Sequence, residues 1–293
     1  RPAFAVEEAP PSPYHDVFRQ GATIVPRVLC VVQPAPVGAV GPNPAAPLVE
    51  CRRTSQEKPP WKHLPPVRDN VEGEFLRPLY LGESVAPFRL LEPVLAVIPW
   101  DEGERLLDSE AAQRAGHMHL SGWLQQAERL WAQHSRGGLT FTQRLDYNGE
   151  LTAQFPTSQL RVVYAASGTL PAAAILRDCS ALVEHALYWI AIEIEDEARY
   201  LTAVLNSETA RVRVADMQAR GQWGARHFDK VMLSLPIPHF DASNALHEEL
   251  AKAAGQAEQV AGAVKLRGAT HFVRARQFIR AALLEDGVAQ RID

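Results

Sequence analysis

The sequence predicts a mixed α/β (α+β) protein, with a sheet-rich body followed by a helical C-terminal arm. Short runs of β-branched and apolar residues, separated by Pro, Gly and Asn, recur between residues 20 and 192 and are typical of strands. Beyond Pro238 the apolar residues recur every three or four positions, which is the period of a helix. With 293 residues, 46% of them hydrophobic, the chain can bury a full core. We expect one large domain or two smaller ones.

Five segments are strand candidates, and they account for most of the predicted sheet. The first is interrupted at Pro26, as an edge strand or a bulge permits. The candidate strands are residues 21–32, 75–81, 94–99, 160–165 and 182–192. Asn148-Gly149 is a type I′ hairpin signal, and we expect strands on both sides of it.

Two helices are predicted inside the body. One follows Ser121, a suitable N-cap, and has an apolar face of Trp123, Leu124, Ala127, Leu130 and Trp131. The other contains Leu201, Val204 and Leu205.

Two further helices are predicted within residues 241–293. The face of the first consists of Leu246, Leu250, Ala254, Ala257, Ala261 and Val264. That of the second consists of Phe272, Ala275, Ile279 and Ala282, with Arg274, Gln277 and Arg280 off it. We therefore predict a linker over residues 1–20, an α/β domain over 21–240 and a helical arm over 241–293.

Charge and cysteine content exclude several classes of protein. The net charge of -4 gives no overall electrostatic attraction to nucleic acid, so such a partner would need a local cationic patch. The three cysteines are far apart and form no CxxC, which argues against a disulfide framework or a zinc knuckle. No apolar run is long enough for a membrane span. These features indicate a cytoplasmic protein with no membrane partner.

The start of the chain is rich in proline and lacks a Met, which is typical of a piece cut from a longer protein. We therefore expect another domain to precede residue 1.

Catalytic and metal-binding motifs are weak in this sequence. The segment from Val37 to Pro44 is the nearest to a glycine-rich cofactor turn, but its prolines forbid the helix that should follow. Lys58-Pro-Pro-Trp61 is close to the loop that holds a base for amino-group methylation, but Lys offers donors only where an acceptor is needed. His117 and His119 lack partners for a metal shell and predict a solvent-facing pair. Ser167 remains a candidate for a hydrolase nucleophile only if a His and an Asp converge on it.

A local cationic patch lies between Arg211 and Lys230. This segment contains five cationic and two acidic residues, which gives it a local charge of +3. Arginine can bind guanine or phosphate, glutamine can pair with an adenine edge, and Trp or His can stack on a base. The candidate contacts are Arg211, Arg213, Gln218, Arg220, Gln222, Trp223, Arg226, His227 and Lys230. The composition is also consistent with a solvated loop whose Trp and Phe side chains pack against the core.

A second cationic cluster surrounds Trp61. Its candidate DNA-binding residues are Arg52, Arg53, Lys58 and Lys62. The alternative here is a surface loop with a packed Trp. The two clusters could form opposite walls of one cleft, which the sequence alone leaves open.

The segments "ARYLTAVLNSETARVRV" (198–214) and "HFDKVMLSLPIP" (227–238) stand on either side of a stretch rich in Gly and Arg. Together they resemble the C-terminal specificity domain of TaqI-like adenine-specific DNA methyltransferases. "QGATIVPRVLCVV" (20–32) is similar to the strand that begins that domain. Leu205-Asn206-Ser207 matches a helix end, where Asn and Ser would serve as C-cap and turn residues. Leu235-Pro236-Ile237-Pro238 matches a strand end.

The resemblance implies a target-recognition domain that holds double-stranded DNA against an N-terminal methyltransferase domain of the same polypeptide, in a restriction-modification or phage-defence system. S-adenosylmethionine would be the cofactor of the longer protein, with none in this chain, because the cofactor and catalytic loops have no counterpart here. The chain alone would not be an enzyme. The rival hypothesis is a scaffold subunit of a defence complex, whose helical arm binds a protein partner and which does not read DNA.

Overall fold

The computed structural model describes residues 12–37, 41, 43–54, 57–101, 103, 105–168, 170–215, 220–221, 224–225, 228–267 and 271–293, with the backbone alone for 220–221, 224–225 and 229. Within these ranges, no helix combines the length and the apolar character that crossing a membrane requires.

Sixteen strands occur in the described residues. They are β1 (Arg19–Gln20), β2 (Val31–Pro34), β3 (Leu48–Cys51), β4 (Arg68–Asn70), β5 (Leu76–Tyr80), β6 (Val85–Ala86), β7 (Arg89–Leu90), β8 (Val94–Val97), β9 (Trp100–Asp101), β10 (Arg105–Leu106), β11 (Arg161–Ala165), β12 (Ala173–Leu176), β13 (Leu182–Val183), β14 (Leu187–Ala191), β15 (Arg220–Gly221) and β16 (Gly224–Ala225).

Eight α-helices and seven short 3-10 helices complete the described elements. The α-helices are α1 (Ser109–Ala115), α2 (Met118–His134), α3 (Phe141–Leu145), α4 (Glu195–Asn206), α5 (Glu208–Val214), α6 (Ala245–Ala263), α7 (Phe272–Asp286) and α8 (Val288–Ile292). The 3-10 helices are Arg27–Leu29, Trp61–His63, Gly73–Phe75, Gly82–Ser84, Tyr147–Gly149, Thr152–Gln154 and Asp229–Ser234.

Two sheets organise the body and confirm the predicted mixed α/β class. The larger has the order β13-β5-β8-β2-β3-β4, antiparallel except for the parallel pair of β13 and β5. The smaller is antiparallel, with the order β1-β14-β11-β12. Helix α2 covers the larger sheet and α4 the smaller, so each sheet contributes to a core of its own.

The start of α2 differs from the predicted one. The helix begins at Met118, where the carboxylate of Glu72 accepts hydrogen bonds from the backbone N–H of His119 and Leu120 at 2.9 and 2.7 Å. Ser121, the predicted N-cap, is buried inside the helix and donates to Ser109 O at 2.8 Å. A carboxylate from a distant loop has replaced the local cap.

The predicted hairpin at Asn148-Gly149 is right for the turn and wrong for the strands. Both residues have a positive φ, 57° and 71°, as a type I′ turn requires. They belong to the short 3-10 helix Tyr147–Gly149, between α3 and the 3-10 helix Thr152–Gln154. Helix α3 forms because Thr140 and Gln143 make a reciprocal capping box.

Three other strand predictions fail in part. Of the predicted strand at residues 21–32, the strand β2 includes only Val31 and Val32, because Arg27–Leu29 forms a 3-10 helix before it. Residues 182–192 contain two strands in two different sheets, because the chain turns between Val183 and Leu187. The apolar run before Pro238 is a 3-10 helix, Asp229–Ser234, followed by an extended segment outside any sheet. Leu235 and Ile237 are nevertheless buried. The alternation of apolar residues in this segment therefore indicates that one side is buried, and it does not show that the segment pairs with another strand.

The helices predicted after residue 240 are present and pack on the body. Helix α6 lies along α4, and α7 and α8 pack against α6. Ala254, Ala257 and Ala261 of α6 are buried as predicted. Their small side chains let the backbone of α6 approach the helices that pack against it. Leu246 is 61% exposed and lies off the buried face. Arg276 ties α7 to the body by donating to the backbone O of Val85 and Gly82 at 2.8 and 2.7 Å.

Candidate nucleic-acid interface

The first cationic cluster begins in the short helix α5, for which Ser207 is the N-cap. Arg211 is hydrogen-bonded to the carboxylate of Glu208, and this bond raises the pKa of the guanidinium. Arg213 is exposed on the same helix, whereas Lys230 lies half-buried in the 3-10 helix beyond the loop. Of the cations that the structure describes here, Arg213 is the one most available to a phosphate.

The middle of this cluster is described only by backbone pairing. Strands β15 and β16 are antiparallel, with Arg220 opposite Ala225 and Gly221 opposite Gly224. Phe228 is buried after them, and its N–H donates to Ala166 O at 2.8 Å, at the end of β11. The remaining candidates lie outside the described residues: Gln218, Gln222, Trp223, Arg226 and His227. The predicted base contacts therefore stay a prediction.

The second cluster is a loop held together by Arg53. Its guanidinium donates to Glu57 Oε2 at 2.8 Å, to Trp61 O at 2.9 Å and also to Leu64 O. Three acceptors from one loop fix that loop around the arginine. The other three candidates, Arg52, Lys58 and Lys62, are exposed to solvent. They are free to face a partner, while Arg53 already binds the loop.

Trp61 forms the wall of a cleft together with α2. Its ring stacks on that of Trp131, with centroids 5.9 Å apart and planes 15° from parallel. The cleft has a volume of about 500 Å³. Its lining residues are Val25, Pro26, Pro59, Pro60, Trp61, Trp131, His134, Ser135, Arg136, Gly137, Leu139 and Arg144. None of these is acidic. We call this site the tryptophan cleft.

Two arginines give the tryptophan cleft its charge. Arg136 is exposed directly after α2, and the guanidinium of Arg144 lies 5.2 Å from the ring centroid of Tyr147. Between them, no described atom apart from chain neighbours lies within 4 Å of where a Cβ of Gly137 would be. The backbone is therefore open to a ligand at this point. A tryptophan wall with cationic groups and no carboxylate suits a base and its phosphate.

Sequence analysis found Trp61 and its lysines but missed the opposite half of the cleft. Trp131 packs on the predicted apolar face of the helix, and it also lines the cleft. The available signal was Arg136-Gly137-Gly138 directly after the helix. Backbone N–H groups in turns can bind anions, and an arginine beside them adds a positive charge.

A second cavity is larger, about 750 Å³, and is also lined by aromatic rings, since Trp100 stacks on Phe155 with centroids 4.2 Å apart. Its charges differ. Asp101 and Glu74 line it together with a single arginine, Arg77, and Glu74 lies 3.3 Å from the Nδ1 of His117. Carboxylates at the wall oppose a phosphate, so charge favours the smaller cleft as the nucleic-acid site.

The histidine pair and the serine have ordinary surroundings. His117 precedes α2 and packs edge-on against Phe75, with centroids 4.7 Å apart, while His119 is exposed. In the part of the chain that the structure describes, no group of three His, Cys, Asp or Glu residues could hold a metal. Ser167 is exposed after β11, and its proposed role as a nucleophile stays untested.

The comparisons with known proteins are limited to structural similarity. No family model matches the sequence, and no curated protein matches it. Among solved structures, the chain is similar to the type IIL restriction-modification enzyme MmeI in complex with DNA, with 11% identity and a TM-score of 0.43 over 75% of this chain. It is also similar to the type IIG restriction endonuclease BpuSI, with 14% identity and a TM-score of 0.39 over 90% of this chain.

This chain spans 28% and 31% of the lengths of those two proteins. Both TM-scores are below 0.5, so neither similarity assigns a function to this chain.

Proposed function

We propose that this chain recognises double-stranded DNA, as the target-recognition part of an adenine-specific, S-adenosylmethionine-dependent DNA methyltransferase of a restriction-modification or phage-defence system. The observation that carries the proposal is the tryptophan cleft, whose charged lining is exclusively cationic in the described residues although the whole chain has a net charge of -4. Local charge, and not net charge, sets the attraction to a phosphate backbone.

The cleft and its flanks supply a set of phosphate contacts. Arg136 and Arg144 line it, and Lys58 and Lys62 are exposed beside its Trp61 wall. Each cation that neutralises a phosphate releases a counterion, so affinity would fall with salt at a slope of about -0.9 per contact. Arg52, which is also exposed, would add one more cation from the same cluster.

Sequence readout belongs to the first cluster in this proposal. Arg220, Gln218, Gln222, Trp223, Arg226 and His227 would contact the base edges, with Arg211, Arg213 and Lys230 on phosphates. Because Arg211 is already bound to Glu208, a phosphate there would have to displace that carboxylate. A phosphate that binds Arg213 would not have to displace Glu208.

Methyl transfer in this proposal belongs to an N-terminal domain of the same polypeptide, which would bind S-adenosylmethionine. This chain would bind no cofactor and would not be catalytic. In the segment closest to a methylation loop, Lys58 stands where an acceptor would have to hold the amine. The segment therefore supports binding and not catalysis.

The test is duplex binding by the full chain over a series of salt concentrations. Changing Lys58, Lys62 and Arg136 together to Ala should lower the salt slope by about 3. Lys252→Ala is the matched control, because that lysine is exposed on α6 and paired with Glu248 at 3.0 Å. An unchanged slope in the triple variant would remove the cleft from the interface. Arg220→Ala with Arg226→Ala tests the first cluster in the same way.

One observation favours the rival function of a scaffold subunit. Leu246, Phe278 and Leu284 on the C-terminal helices are 61, 53 and 57% exposed, and such side chains can bind a protein partner. Duplex binding and association with a protein partner distinguish the two functions. If the wild-type chain binds duplex with no salt dependence, or not at all, while Phe278→Ser abolishes association with another defence protein, the scaffold function replaces the proposed one.

A further inference from the structure

We propose that the tryptophan cleft binds one unpaired DNA base, with the neighbouring phosphates on Arg136 and Arg144. This inference rests on the proposed function, since it takes DNA to be the ligand, and it adds what part of the DNA the cleft accepts. It follows from the shape and chemistry of the cleft walls.

Trp61 and Trp131 form an aromatic wall of the cleft, and a base can stack on such a wall only through its flat face. Trp61 and Trp131 lie nearly parallel, and both are only partly buried where they line the cleft. In a duplex, each base has both faces covered by its stacked neighbours. A base can therefore reach an indole face only at an end, in a single strand, or when it leaves the stack.

The size and the charged lining of the cleft agree with a single nucleotide. A volume of about 500 Å³ is typical of a site for a small ligand and too small for a duplex. Arg136 and Arg144 line the cleft, and their guanidinium groups would contact the phosphates on either side of an inserted base. The open backbone at Gly137 leaves room for the strand to pass.

The cleft is held in shape before any ligand binds. Arg53 fixes the loop by bonding to Trp61 O and Leu64 O, and Trp131 Nε1 donates to Leu139 O at 2.8 Å. Rings that are already fixed lose little conformational entropy when a base stacks on them.

The cleft should accept any of the four bases. Its charged and titratable side chains in the described residues, Arg136, Arg144 and His134, present donors and ring faces, with no carboxylate to select an amino group. Every base has a π face, so stacking of this kind tolerates changes of sequence.

The experiment compares three fluorescent DNAs on the full chain: a blunt duplex, the same duplex with one extrahelical base, and the single strand. We expect the bulged duplex and the single strand to quench tryptophan fluorescence and to bind about tenfold more tightly than the blunt duplex. Trp61→Ala should remove that preference, so that the three DNAs bind with similar affinities. Trp61→Phe should keep most of the preference, because a ring remains.

Trp100→Ala is the matched control, since Trp100 stacks on Phe155 in the other cavity and should leave the preference intact. Equal affinity for the three DNAs, or a preference that survives Trp61→Ala, overturns the inference. If the blunt and bulged duplexes bind equally with the expected salt slope, the unpaired-base site fails while DNA recognition stands. If the blunt duplex does not bind but the single strand still does through Trp61, duplex recognition fails and the cleft stands.

Discussion

The side-chain amide of Asn206 pairs with both backbone groups of Ala173. Its Oδ1 accepts from the N–H at 3.0 Å and its Nδ2 donates to the C=O at 2.9 Å. Ala173 lies in β12, the edge strand of the smaller sheet, so the last residue of α4 closes that edge. The asparagine that sequence analysis assigned to a helix end thus also attaches the helix to the sheet.

Replacing this asparagine should destabilise the fold. Asn206→Ala leaves the N–H of Ala173 without its partner, while the C=O keeps its bond from Phe88 N–H at 2.8 Å, so we expect the free energy of unfolding to fall by about 2 kcal/mol. Urea denaturation of the full chain measures it. Gln133→Ala, which removes an exposed amide at the end of α2, should stay within about 0.5 kcal/mol of the wild type. Equal stabilities of the two variants would contradict the edge-closing role.

The ion pair of Arg27 and Glu184 should make stability depend on acid pH. Burial would raise the pKa of Glu184, but hydrogen bonds from His185 and from Arg27, the latter at 2.8 Å, outweigh it and lower that pKa. A lowered folded-state pKa gives stability that is present above the ordinary carboxyl pKa and is lost as the pH falls through the folded value.

Glu184→Gln should therefore be less stable than the wild type at pH 7, by about 2 kcal/mol, and the difference should shrink on acidification. Urea denaturation between pH 3 and pH 7 follows this difference. A constant difference across that range would mean that Glu184 does not titrate with folding.

The three thiols should differ sharply in reactivity. Burial raises the pKa of Cys30, and it raises that of Cys51 to about 11, whereas Cys179 is exposed. Because the thiolate is the reactive form, an aromatic disulfide reagent should label one thiol quickly in the native protein and three in urea. Cys179→Ser should abolish the fast phase. Fast labelling that persists in that variant would contradict the burial of the other two.

Two neighbouring arginines should behave differently because only one is engaged. Arg53→Ala removes three hydrogen bonds from the loop and should lower the free energy of unfolding by about 2 kcal/mol. Arg52→Ala, at an exposed position, should leave stability unchanged and weaken DNA binding alone. Thermal melting and duplex affinity, measured on both variants, separate the two roles. The opposite pattern would reverse the assignments.

Local sequence chemistry predicted the elements whose partners are near in the chain. The strands at residues 75–81 and 94–99 and the helix around Leu201 occur close to where periodicity placed them. The turn at Asn148-Gly149 also has its expected φ angles. In each case the residues that determine the conformation belong to the segment itself, so a pattern within that segment is informative.

Distant groups decided the features that the sequence misplaced. Glu72 caps α2 across a large gap in the chain, which moved the helix start from the predicted Ser121 to Met118. The run ending at Pro238 is buried without pairing to a strand, and Phe228 at its beginning donates its N–H to Ala166 O. Neither contact leaves a periodic signal in the sequence.

The candidate site shows the same division. The sequence by itself determined the α/β class, the helices after residue 240, the cationic residues and the presence of Trp61 beside lysines, because these depend on composition and on local periodicity. Only the tertiary structure decided that Trp61 stacks on Trp131 and that Arg136 and Arg144 line the same cleft. It also decided that the side chain of Arg53 is hydrogen-bonded to the backbone of its own loop. Such a cleft exists because packing of the larger sheet against α2 joins residues that are about seventy positions apart, and no local rule encodes that contact.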